Sequence, residues 1–473
     1  LDFNVTNKKW ADRFRVSVNG SEYYKEVQNG QVLSARPFGN VFYEGGGWTV
    51  TGFYEKTLGD KFKFSTNTAV SRVKVIFVDT TANIYSWSGD IISRNISQRG
   101  ELVAAQNSDR DFDNIANRTT LVWTPSLSDK ITLSNLVANQ SNVGRDFEEE
   151  DPERVVFTKE QSIFKNVLGL EYRRLLFNDK LGISLAGKLY SFKLDGVDPN
   201  TFRPVSADGN EIGYYATAKY SFTDRLFVRA SYENALRIPT SAQFFGNGAD
   251  VGQNLLLGPE TSDNYNVGFS YTSPRAREVR FLLAASGFVR QQQDLIFLNS
   301  FQFPRFINAD NVETLGAEGA LTVWFRENFQ LTINATRLRQ RYGEITSLSQ
   351  STFLEGTDFP NVPKWFYNAR LTYNNKNLLG DRNFFAAYIQ HKYVDEFNFL
   401  NASGGPDQPI PENSLLHAQR RTYLGVNLTF QDGKYGVAIN ANNIFNADLF
   451  DNFSVPRPGR NYNIRLSYNL RDF

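Results

Sequence analysis

The sequence predicts an all-β fold, a transmembrane antiparallel β-barrel, and three observations carry that reading. Aromatic residues make up 14% of the 473 residues, with 40 Phe and 22 Tyr, while the mean hydropathy stays slightly hydrophilic at −0.41. No apolar run reaches the ~18 residues that a helical membrane span requires. Apolar and polar residues instead alternate with a period of two, again and again down the chain. A barrel strand needs an apolar residue only at every second position, and aromatic girdles mark both of its rims.

The alternation is plainest in Ile212–Phe222, where Ile212, Tyr214, Ala216, Ala218, Tyr220 and Phe222 share one face. Gly213, Tyr215, Thr217, Lys219 and Ser221 share the other. After Thr223-Asp224, the row Phe227, Arg229, Ser231, Glu233 alternates with Leu226, Val228, Ala230, Tyr232. Such stretches are strands with one polar and one apolar face. Short connections (Asn178-Asp179-Lys180, Thr223-Asp224, Arg326-Glu327-Asn328, Gln431-Asp432-Gly433-Lys434) read as hairpin turns. Long ones fall between them, at Ser141–Glu160, Asp195–Glu211, Leu236–Thr261, Leu298–Asn311, Glu344–Val362 and Asn401–Ser414. Turns on one side and long loops on the other match periplasmic and extracellular rims.

Hairpins are expected at Arg118–Val137, Ser162–Lys193, Ile212–Ala235, Asp263–Gln292, Val312–Tyr342, Trp365–Phe397 and Arg421–Asn443. A final strand follows at Asn461–Leu470. Ahead of Gln106 the candidates are Phe14–Val18, Trp48–Glu55, Phe62–Val70 and Arg72–Phe77. The total is roughly 18 strands, which we place in the 22-strand class that carries a plug, with the remaining strands and the plug expected upstream of Leu1. In the last strand Tyr462, Ile464, Leu466, Tyr468 and Leu470 oppose Asn463, Arg465, Ser467, Asn469 and Arg471. Arginine against lipid at mid-depth costs about 2–4 kcal/mol, so Arg465 is expected to face the lumen. The same phase places Lys219, Arg229, Glu233 and Arg370 on the lumenal side.

Composition excludes much else. With no cysteine there are no disulfides, thiolate metal sites or cysteine nucleophiles. His391 and His417 are the only histidines and the net charge is +1, which leaves no case for nucleic acid. The run Asp146-Phe147-Glu148-Glu149-Glu150-Asp151 lacks the spacing and central glycine of a calcium loop and reads as a solvated loop. No catalytic constellation stands out, so neither an enzyme, a metal nor a cofactor is read here.

Three stretches resemble the barrel of TonB-dependent outer-membrane receptors. The first is Ala235-Leu236-Arg237-Ile238-Pro239-Thr240 with the later Asn254 to Tyr265, including Leu257-Gly258-Pro259-Glu260-Thr261. The second is Asn308-Ala309-Asp310-Asn311-Val312-Glu313-Thr314-Leu315-Gly316-Ala317-Glu318. The third is Asn442-Asn443-Ile444-Phe445-Asn446 with Pro456-Arg457-Pro458-Gly459-Arg460. We read their motif residues as structural rather than ligand-binding. The resemblance implies a bacterial outer-membrane location, among lipids and lipopolysaccharide. It also implies a plug, a TonB-binding segment and uptake powered from the inner membrane.

Ligand capture falls to the long loops. Phe244 and Phe245 lie in one, and Phe301, Phe303 and Phe306 with Arg305 in another. Rings beside a cation suit flat, partly apolar chelates or stacked sugars, but the favoured reading is that they pack the loops onto one another or belong to the upper aromatic girdle. The expected function is TonB-dependent import of a bulky nutrient. An iron chelate or siderophore is favoured over an oligosaccharide or peptide delivered with a surface lipoprotein. The alternatives are a structural barrel subunit of an outer-membrane complex and a passive porin.

Overall fold

A computed structural model describes residues 1–28, 37–96, 99–102, 104–247, 251–274, 278–299, 304–345, 352–378, 380–400, 414–452 and 455–470. Nineteen of its strands join one antiparallel sheet. In chain order they are β1 (Asp2–Thr6), β2 (Arg13–Glu26), β3 (Val41–Leu58), β4 (Phe62–Asp79), β5 (Gln106–Trp123), β6 (Asp129–Asp146), β7 (Gln161–Leu176) and β8 (Leu181–Val197). Then come β9 (Pro204–Thr223), β10 (Leu226–Arg237), β11 (Glu260–Thr272), β12 (Val279–Asn299), β13 (Arg305–Phe325) and β14 (Phe329–Tyr342). The last are β15 (Trp365–Lys376), β16 (Phe384–Val394), β17 (Gln419–Phe430), β18 (Tyr435–Asn442) and β19 (Asn461–Tyr468). Among the described residues no helix is long and apolar enough to cross a membrane, and the one α-helix, α1, is Ser241–Phe245.

The chain divides into two compact units. Unit 1 holds Leu1–Ala216, Glu233–Ser262 and Gln293–Ala309. Within it β1 through β8 each pair with the next strand in sequence. Unit 2 holds Thr217–Tyr232, Asp263–Gln292 and Asp310–Phe473, and its strands β13 through β19 pair in the same way. The four expected hairpin turns all separate paired or successive strands. Phe177, Asn178 and Asp179 turn the chain through positive φ between β7 and β8, a conformation that Asn and Asp tolerate.

Strands run longer than the alternation suggested. Phe62–Val70 and Arg72–Phe77, expected as separate candidates, are one strand of 18 residues in register with β3 throughout. Nothing in Val70-Ser71-Arg72 supplies a turn. The loop expected at Leu298–Asn311 also shrinks, because β12 continues to Asn299 and β13 starts at Arg305. These extra residues lengthen the strands past the ~9–11 that span hydrocarbon.

The connection from β1 to β2 is pinned at Asp12, which accepts the Thr57 N–H at 2.7 Å and pairs with Lys56 at 3.1 Å. Hydrogen bonds from Thr57, then from Lys56, hold this carboxyl at about 2. Its folded pKa lies below the ordinary carboxylate value. The stabilisation is therefore complete above about pH 4 and is lost as pH falls through about 2. Amide exchange at Thr57 should accelerate in Asp12→Asn at neutral pH, and in the unaltered chain only near pH 2; equal exchange in both would remove this role.

Candidate functional site

Two rows of side chains define the faces of unit 1. On β7, Phe164, Leu168 and Leu170 point one way and are 40–55% exposed, as are Leu185 and Leu189 on β8. This is the lipid row. The opposite row carries Lys165, Glu171 and Lys188 together with Ile163, Val167, Tyr190 and Leu194. Charge therefore sits on the inner face, and near its loop end that face turns apolar.

That apolar surface is covered by the segment between β10 and β11. Thr240 caps α1 through a capping box with Gln243, which satisfies two helix N–H groups that water would otherwise take. Gly246 ends the helix at φ 65, where a Cβ would lie 2.2 Å from the Val251 carbonyl oxygen. Phe244 and Phe245 then pack onto Ile163, Tyr190 and Leu194, joined by Ile238, Leu257 and Ile296. Lys165 Nζ donates to the carbonyl oxygens of Ile238 at 3.4 Å and Pro239 at 2.5 Å.

The recurring sequence elements hold this segment at both ends. Arg237 Nη2 donates to Glu260 Oε2 at 2.7 Å and to the Ile296 carbonyl at 3.0 Å. Glu260 Oε2 also accepts the Ile296 N–H at 3.1 Å. Asn308 accepts the Gly258 N–H at 2.9 Å and donates back to the Gly258 carbonyl at 3.2 Å. In unit 2 the two terminal elements meet in the same manner, with Asn446 Oδ1 accepting the Arg460 N–H at 2.9 Å. A Cβ at Gly459 would come within 2.6 Å of that oxygen.

Of the loop phenylalanines, Phe244, Phe245 and Phe306 take the packing role that their rings also suited. Phe244 and Phe245 are 1% and 4% exposed and belong to the packed cluster. Phe306 packs against the same cluster, and Arg305 is exposed at the start of β13. Phe301 and Phe303 lie outside the described residues.

Beside α1 the inner face forms a cavity of about 660 Å³. Tyr23 and Lys25 of β2, Tyr43 of β3 and Phe112 of β5 line it, and Ala242 and Gly246 close it from the helix side. Three rings around one space can hold a flat ligand, and Lys25, with Glu26 next to it in the lining, brings an ammonium group to negative charge on that ligand. Sequence reading missed these residues because the region before Gln106 looked irregular. Carrying the period-two rows through β2 and β3 would have put Tyr23 and Tyr43 on the inward face.

The charges expected in the lumen are held by four separate sets of contacts. Glu233 pairs with Lys188 at 2.8 Å on the inner face of unit 1. In unit 2, Lys219 and Arg229 line one cavity of about 430 Å³ with Arg290 and Glu318, and Lys219 also lies 4.3 Å from the Phe227 ring centroid. Arg370 stacks at 3.8 Å on the Tyr388 ring, and Arg465 sits on β19 opposite Ala438 of β18. His391 hydrogen-bonds Thr422 at 2.8 Å, and Glu148 of the acidic run pairs with Arg99 at 2.9 Å.

The family model for the TonB dependent receptor-like β-barrel matches residues 1–444. The chain belongs to the TonB-dependent receptor family. This receptor is accordingly an outer-membrane β-barrel. No curated protein sequence matches it. Its fold is similar to the FrpB iron transporter from Neisseria meningitidis, with a TM-score of 0.71 at 14% identity over 98% of this chain and 69% of that one. The copper transporter OprC gives 0.69 at 12% identity over 96% and 75%. BauA, the ferric preacinetobactin receptor from Acinetobacter baumannii, gives 0.65 at 13% identity over 99% and 70%.

Proposed function

We propose that this receptor imports a bulky, flat and anionic nutrient, with a ferric siderophore favoured, through coupling to TonB. The aromatic cavity carries the reading: Tyr23, Tyr43 and Phe112 offer ring faces, and Lys25 offers the countercharge. Two proteins of similar fold, the siderophore receptor PiuA and the ferric preacinetobactin receptor BauA, support the substrate class. A chelate with aromatic arms buries its rings against such faces and presents its negative charge to the lysine.

Binding is tested with the full-length receptor from outer membranes, by Trp fluorescence quenching with catecholate and hydroxamate ferric chelates. Tyr43→Ala is expected to weaken binding roughly 10-fold, the loss of about 1.4 kcal/mol of ring contact. Lys25→Gln should weaken an anionic chelate and spare a neutral one. Uptake of labelled iron that persists without TonB would remove the coupling, and failure of every ferric chelate to bind would remove the substrate class.

A further inference from the structure

The lipid row of unit 1 is interrupted by amides and hydroxyls at mid-membrane depth. Phe62 and Trp123 stack with ring centroids 6.0 Å apart at one rim. Ten residues further along β4, Arg72 pairs with Asp113 at 2.6 Å. Ten residues of tilted strand rise roughly 25 Å, the height of the apolar band. Thr66 and Thr68 lie midway, where Asn117 donates to both hydroxyls at 2.9 and 2.8 Å and accepts from Thr119 at 2.9 Å. Alongside, Asn135 donates to Asn166 at 2.9 Å.

That network does not use all its groups. Among the described residues, the Asn166 amide accepts one hydrogen bond and donates none, and the Asn139 amide, on the same row, has no partner. Lipid chains can neither donate to these amides nor accept from them, and burying them unpaired is costly. An amide carries both donors and an acceptor, so an identical patch related by a two-fold axis supplies what each lacks. Arg72 and Asp113 neutralise each other on this face, so two copies would not repel.

We infer that two copies of this receptor associate in the outer membrane through the outward face of β4–β7, with Asn139 and Asn166 at the contact. These 473 residues hold no cysteine, so each introduced thiol is the only one in this part of the chain. Asn117→Cys, Asn139→Cys and Asn166→Cys are introduced singly in the full-length chain and oxidised in native outer membranes, with Ile464→Cys of unit 2 as the control outside the patch. A product of twice the monomer mass is expected from at least one patch position and not from the control.

Combining Asn139→Leu with Asn166→Leu should convert the native particle from two copies to one in lipid nanodiscs, while heat-modifiable gel mobility reports that the barrel still folds. A single-copy mass for the unaltered receptor would overturn the inference. So would cross-linking to a protein of another mass, or equal cross-linking at Ile464→Cys.

Discussion

Phe244→Ala is expected to loosen the inward-folded segment by about 3–5 kcal/mol, the cost of emptying a fully packed phenylalanine site. The side chain is 1% exposed and meets Ile163, Leu194 and Phe245 in the only large apolar cluster among the described residues. The wall beneath it is a single sheet layer that cannot collapse into the hole, so relaxation recovers little. Limited proteolysis of the folded receptor should cut within residues 238–259 on the order of 10²-fold faster or more. Melting of the strands should shift far less, because the sheet ladders do not depend on the loop. An unchanged cleavage rate would mean that the polar clamps alone hold the segment.

This prediction rests on a feature only half legible in the sequence. Period-two rows and the alternation of short and long connections are local properties, so they placed the strands, the turns and the membrane. Arg237 and Glu260 could be recognised as elements of a family pattern and assigned a structural role. Their pairing spans 23 positions through a loop that doubles back, and no local pattern encodes that. Phe244-Phe245 is two adjacent rings in a segment of glycine, asparagine and alanine. In isolation it suits ligand capture or loop packing, and only the apolar inner face formed by Ile163, Tyr190 and Leu194 decides for an anchor. The aromatic cavity was harder still, since its residues come from three strands and gain meaning only when register sets them side by side.

Glu260→Ala is expected to cost about 3 kcal/mol, at the low end for breaking a buried ion pair. The Glu260 side chain is 11% exposed and that of Arg237 is 44% exposed, so the stranded guanidinium keeps partial access to water. The Ile296 N–H has no such relief, because its bond to Glu260 is buried. Glu260→Gln retains an acceptor for that N–H and removes only the charge, so it should cost about 1 kcal/mol. Amide exchange at Ile296 separates the two effects, rising steeply in Glu260→Ala and slightly in Glu260→Gln. Pairing each change with Arg237→Ala closes a double-mutant cycle. Strong coupling would place the clamp's energy in the arginine–glutamate contact. Additive losses would place it in the Ile296 hydrogen bond, and the recurring arginine would then act mainly through the Ile296 carbonyl it holds at 3.0 Å.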